Sequence, residues 1–174
     1  LGNLRSRNGV FFILGNHDNR DCPAEEVRET LADAGLIDLG GASHVLESGD
    51  ASILLVCNEL PWQKSPPPNE QLPKAPRDPD VLSILLSHTP DQFGWASRQG
   101  YQLMLAGHAH GGQVRVPLIG PLLTPCWHGV AYSAGTFQQG RTLMHVTRGL
   151  SGMRPLRINC PAELTRLVLR RWPT

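Results

Sequence analysis

Three short apolar runs in this chain each lead into a polar block that carries histidine, and that repetition constrains the fold more than any other feature. Val10 to Leu14 runs into Gly15-Asn16-His17-Asp18, and Val81 to Leu86 runs into Ser87-His88-Thr89-Pro90. Tyr101 to Ala106 runs into Gly107-His108-Ala109-His110-Gly111-Gly112-Gln113. A continuous apolar run of this length has the pattern of a strand buried on both faces. Ser52 to Val56 is a fourth such run. Pro23 to Gly35 carries Val27, Leu31 and Ala34 at helical spacing behind Glu25, Glu26 and Glu29, and a second helical segment runs from about Asp91 to Gln99. Helices between buried strands predict an α/β fold with parallel pairing and helical crossovers. Ligands of such sheets bind past the carboxyl ends of the strands. The three polar blocks are therefore expected together at one sheet edge.

The remainder reads as loops and edge structure. Pro61 to Pro79, with Pro66-Pro67-Pro68, can form neither a helix nor a central strand. The stretches Leu36 to Leu39 and His44 to Leu46 read as a connection. Tyr132 to Gly135, Leu143 to Thr147 and Leu164 to Leu169 read as strands of an antiparallel sheet, with His145 on its more polar face. His44, His128 and His145 are taken as packed or solvated side chains. Trp62, Trp95 and Trp127 are available for apolar contacts along the rim of a site, although packing is the simpler role for Trp62.

Composition excludes some partners. The 174 residues are 40% apolar and 18% charged, as expected of one globular domain spanning residues 1–174. Sixteen basic and fifteen acidic residues leave a net charge of +1 without a basic run, which weighs against nucleic acid and so against a nuclease. Cys22, Cys57, Cys126 and Cys160 form no Cys-x-x-Cys pair, so neither a zinc knuckle nor a dense disulfide framework is implied. No apolar run is long enough to cross a bilayer. Leu1 lies close to the first strand, and an N-terminal portion is expected to precede it, with any membrane anchor or targeting segment.

The polar blocks point to metal chemistry. A histidine pair between glycines at a strand's end is a poor place for core imidazoles, and imidazole is the commonest metal-ligand side chain near neutral pH. The alternative is a glycine-rich turn with solvated histidines, and Gly15 to Asp18 taken alone equally suits a turn. The imidazoles of His88, His108 and His110 with the amide oxygen of Asn16 form a nitrogen and oxygen set suited to zinc, manganese or iron rather than calcium. Hydrolysis by two such ions about 3.5 to 4 Å apart requires a bridging carboxylate and a bridging hydroxide. No acidic residue is found at another strand end in a comparable motif. Asp18 is placed to orient His17, and His17 is the candidate general acid for a leaving oxygen or a cation that stabilises the pentacovalent transition state.

These residues carry a resemblance. Gly-Asn-His-Asp at 15 to 18, the strand-end His88 and Gly-His-Ala-His at 107 to 110 resemble, in order, the last three blocks of the calcineurin-like metallophosphoesterases. Gly111 to Val114 and the late stretch from Arg148 to Pro161 are similar to a bacterial phosphodiesterase branch related to UDP-diacylglucosamine hydrolases. The resemblance implies a four-layer α/β/β/α sandwich lacking its first strands in this chain. It also implies two divalent transition-metal ions (manganese, zinc or iron), with Asn16, His88 and His108 on one, His110 on the other, and His17 as the catalytic histidine held by Asp18. The implied substrate is a small-molecule or lipid-linked phosphate ester. The family's Asp-x-His and Gly-Asp blocks do not precede Gly15, so the chain as given is expected to hold one metal poorly and the other hardly at all. Without those blocks, a catalytically inactive module that binds a ligand or partner is the alternative.

Overall fold

The computed structural model describes residues 2–18, 20, 22–48, 51–59, 72–152 and 156–170. Strand β1 (Phe11–Phe12) leads through the polar loop at 15–18 to helix α1 (Ala24–Asp33) and strand β2 (Ile37–Asp38). Strands β3 (Ser43–Ser48), β4 (Ala51–Asn58) and β5 (Val81–Ser87) follow, then helix α2 (Phe93–Gln99) and strand β6 (Leu103–Ala106). Strands β7 (Arg115–Val116) and β8 (Gly120–Pro121) form a small hairpin, and β9 (Gly135–Gln139) and β10 (Thr142–Val146) complete the elements. Pro61 and Trp62, with the proline-rich stretch as far as residue 71, lie outside the described residues. Among the described residues no helix is long and apolar enough to cross a membrane.

A mixed sheet in the order β3-β4-β5-β6-β10-β9 forms the centre. Strands β4, β5, β6 and β10 are parallel, and β3 and β9 close the edges antiparallel. Because side chains alternate along a strand, each face builds its own core. On one face Val56, Leu85, Met104, Met144 and Val146 pack with Phe93, Trp95 and Ala96 of α2. On the other, Leu55, Cys57, Ile84 and Leu103 pack with Leu39, and Phe11 and Ile13 of the first strand region lie against them. Fully burying side chains such as Leu85 or Met104 contributes about 1.5 to 3 kcal/mol each.

Several expectations are corrected. Phe11 and Phe12 are half-buried and pair with Ile37 and Asp38 in a separate two-stranded sheet, so the three polar blocks do not share one sheet. Two stretches read as connections contain β2 and β3. Ser-His-Val-Leu-Glu-Ser has the polar alternation of an edge strand, exposed at Val45, rather than a central strand's apolar run. Tyr132 ends a 3-10 turn (Gly129–Tyr132), because its ring is drawn inward against Phe93 and Phe137, and the strand starts at Gly135. The last strand pairs parallel with β6 as well as antiparallel with β9. Residues 164–169 form no strand, and Leu164 and Val168 stay exposed. Trp95 sits in the core instead of a rim, whereas Trp127 is exposed.

Register then positions the polar blocks. Ser87 pairs with Ala106 in the parallel β5–β6 ladder, so both strands end at the same level. The Gly107 N–H donates to the His88 carbonyl over 3.1 Å, which sets His88 beside the His108 loop. The first block arrives from the small sheet. The Leu14 N–H donates to the Glu59 carboxylate over 2.6 Å, and Glu59 directly follows β4.

Candidate metal centre

Glu59 is fully buried, and its second oxygen lies 2.5 Å from the Arg28 guanidinium of α1. Arg28 also pairs with Asp38 of β2 at 2.6 Å. A buried carboxylate is tolerated only when its oxygens are satisfied, and here they join the segment after β1, helix α1 and the end of β4. An acid therefore does follow another strand, although in no motif comparable to the three polar blocks. Glu59 escaped notice because one glutamate after an apolar run, without glycine or histidine, carries no motif.

Held in this way, the loop at 15–18 turns back on itself. The Asp18 carboxylate accepts the Gly15 N–H over 2.6 Å, and the Asp18 N–H donates to the Gly15 carbonyl over 3.2 Å. Asp18 therefore closes the turn that presents Asn16 and His17, and its resolved bond is to Gly15 rather than to the His17 ring. Gly15 has to be glycine for a steric reason: a Cβ there would overlap the His88 imidazole, lying 2.8 Å from Nε2 and closer still to Cε1 and Nδ1.

Three donor atoms converge at this edge. The Asn16 Oδ1 lies 2.7 Å from His88 Nε2 and 3.2 Å from His108 Nδ1, and the two ring nitrogens are 3.0 Å apart. Ligands at adjacent octahedral positions, with bonds of about 2.1 Å, stand about 3.0 Å apart, so this triangle fits a divalent ion. Burial, followed by the charges of His108, His110 and His17, pushes His88 down to about 3. Burial also lowers His108, against a raising contribution from the Pro125 carbonyl. Both imidazoles are thus neutral near pH 7, the form that ligation requires. Among the described residues no three His, Cys, Asp or Glu side chains gather, because the third donor is an amide.

The backbone after β6 is bent to make this possible. His108 and His110 themselves adopt left-handed conformations, with φ of 64° and 51°, separated by a right-handed Ala109. Such conformations are uncommon for residues other than glycine and cluster at ligand sites. His108 consequently turns toward Asn16 and His88, while the His110 ring faces the exposed His17, with centroids 6.3 Å apart. His110 Nδ1 lies 3.0 Å from the Ser151 carbonyl. The structure thus brings Asn16, His88 and His108 into one group and sets His17 and His110 beside it.

The other histidines find partners elsewhere. His44 packs on the Phe11 ring, and His145 lies 3.2 Å from both the Thr136 and Thr165 hydroxyls. His128 Nδ1 sits 2.8 Å from Asp91 Oδ1. Burial raises the Asp91 carboxyl, but the His128 imidazole, the Trp127 N–H, the Thr89 hydroxyl and the His128 N–H outweigh it and hold the group below its usual range. Asp91 thereby anchors the loop at 125–129, whose Pro125 carbonyl lies 3.4 Å from His108 Nε2.

Two known proteins resemble the chain along nearly its whole length and a third along half of it. It is 35% identical over 165 residues to phosphodiesterase YaeI of Escherichia coli (strain K12), a match covering 92% of the chain and 58% of that protein. It is 30% identical over 171 residues to the uncharacterized metallophosphoesterase YkuE of Bacillus subtilis (strain 168), covering 98% of the chain and 59% of that protein. UDP-2,3-diacylglucosamine pyrophosphatase LpxG of Chlamydia muridarum (strain MoPn / Nigg) is 29% identical over 94 residues, 50% of the chain and 29% of that protein. The chain thus spans less than two thirds of the length of these relatives. No family model and no solved structure matches it.

Proposed function

Since the chain belongs to the calcineurin-like metallophosphoesterases, we propose that it forms the C-terminal part of a metal-dependent enzyme hydrolysing a phosphodiester or pyrophosphate bond. The observation that carries this reading is the triangle of Asn16 Oδ1, His88 Nε2 and His108 Nδ1, which has the spacing of a metal's ligands. On this reading those three hold one divalent ion and His110 contributes to a second. Bound ions of this kind supply a water of lowered pKa and neutralise charge on the phosphate.

The chain's own residues divide the remaining work. His17, exposed at the rim and facing His110, donates a proton to the leaving-group oxygen as the ester bond breaks. Asp18 fixes the turn on which His17 is presented, and Glu59 fixes that turn against the central sheet. The mixed sheet and the packing of β1 and α2 on its opposite faces accord with the family's four-layer sandwich, whose further strands would come from sequence outside this chain. The substrate class is a phosphate ester, and the likeness to a UDP-2,3-diacylglucosamine pyrophosphatase supports a lipid-linked one.

The test uses the full-length gene product with manganese and a bis-aryl phosphodiester, and His17→Ala as the comparison. Turnover falling about 100- to 10,000-fold in the variant, with metal content unchanged, is expected. Equal turnover by the two proteins refutes the role of His17. Metal binding without turnover by the wild type would favour an inactive ligand-binding module instead.

A further inference from the structure

Arg157 lies far from the metal-centre motifs in sequence, yet its guanidinium reaches the backbone of the histidine loop. Nη1 donates to the carbonyls of His110 (3.3 Å) and Cys160 (3.4 Å). Nη2 donates to the carbonyls of Arg148 (2.8 Å), Gly149 (3.2 Å) and Ser151. Only a planar fork of five N–H donors can hold so many carbonyls together, whereas lysine offers three donors on a single nitrogen.

Two of these carbonyls control one side chain. The His110 carbonyl belongs to a residue with φ of 51°, a conformation that persists only when its surroundings hold it. The Ser151 carbonyl lies 3.0 Å from His110 Nδ1. A carbonyl can only accept, so Nδ1 carries the hydrogen and the lone pair is left on Nε2. The same segment braces the loop elsewhere. The Ile158 N–H donates to the Gln113 carbonyl over 2.8 Å, and a Cβ on Gly111 would lie 2.5 Å from Cys160 Sγ.

We propose that Arg157 is the positioning residue for His110: by holding both the His110 carbonyl and the Ser151 carbonyl that orients the ring, it presents Nε2 to the second metal. The inference rests on the reading of His110 as a ligand of that metal. It concerns one of the two ions only, because Asn16, His88 and His108 make none of the bonds to Arg157 described above.

The test is manganese binding to the full-length protein, followed by calorimetry and by electron paramagnetic resonance of the coupled ion pair, with the melting temperature as a second readout. Wild type is expected to bind two ions and His110→Ala one. Arg157→Met is expected to weaken the second ion about 10- to 100-fold and leave the first unchanged. Millimolar guanidinium added to Arg157→Gly should restore part of the coupled signal. Wild-type affinity for both ions in Arg157→Met, with His110→Ala losing one, overturns the proposal and leaves the ligand reading intact. Equal weakening of both ions with a lower melting temperature marks a scaffold role and also overturns it. Two ions retained in His110→Ala overturn the ligand reading and the proposal with it. Should Arg157→Met not fold, Arg157→Lys carries the test: a smaller loss confined to the second ion supports the proposal, and an unchanged second ion overturns it.

Discussion

Gly15→Ala adds a single methyl group at the point where the first polar loop touches His88. The new carbon would stand 2.8 Å from His88 Nε2 and closer to Cε1 and Nδ1, where carbon contacts ordinarily need about 3.5 to 4 Å. The ring therefore has to retreat by roughly 1 Å, and a displacement of that size in a catalytic group costs about 100-fold in rate. Loss of ligand placement is expected to weaken the first metal by about 10- to 100-fold, equivalent to roughly 1.4 to 2.7 kcal/mol. Backbone strain contributes nothing, because Gly15 is not in a left-handed conformation. Overpacking adds a stability cost of about 1 to 3 kcal/mol, which circular dichroism on heating would measure separately. Calorimetric manganese titration of the full-length protein is the assay. Gly94→Ala in α2, where the nearest atom to the new carbon is 3.5 Å away, is the control and should bind as wild type does. Wild-type manganese affinity in Gly15→Ala would refute the claim that His88 is held in ligand position by that contact.

Three further outcomes test the supports of the site. Glu59→Ala strands the buried Leu14 N–H and removes one of Arg28's two carboxylates, so urea denaturation should report a loss of about 3 to 5 kcal/mol, whereas Glu59→Gln, which keeps an acceptor for Leu14, should lose less. Because the Asp91 carboxyl is held below its usual range, its stabilisation is fully present above the unfolded value near 3.9 and is lost as pH falls through the lower folded value. The melting-temperature advantage of wild type over Asp91→Asn should therefore be largest at pH 5 to 7 and shrink below about pH 4. Gly111→Ala places a methyl group 2.5 Å from Cys160 Sγ at a φ of 67°, and it should lower the melting temperature while weakening metal binding at His110 more than at His88.

What was legible in the sequence follows from physical range. The cores of β4, β5 and β6 and the helix at Ala24–Asp33 announce themselves through local periodicity, and the strand-end histidines through the glycines and prolines around them. The placement of β1 in a second sheet was not legible, since Val-Phe-Phe-Ile-Leu suits a strand in either sheet and the Leu14 bond to Glu59 spans 45 positions. Residues 164–169 have an apolar pattern, but a strand also needs a partner, and none pairs with them among the described residues. Asn16, His88 and His108 stand out by residue type, whereas Glu59, Asp91 and Arg157 act by holding backbone. Arg157 in particular is one of several arginines in the late stretch, distinguished only by the carbonyls that the folded chain turns toward it.

The central claim is that three atoms of this chain share a metal. Anomalous diffraction from crystals of the full-length protein grown with manganese tests it most directly. The account predicts a peak within about 2.0 to 2.3 Å of Asn16 Oδ1, His88 Nε2 and His108 Nδ1 together. With manganese at saturating concentration, a structure in which these atoms remain within 2.7 to 3.2 Å of one another and no peak lies between them would contradict it.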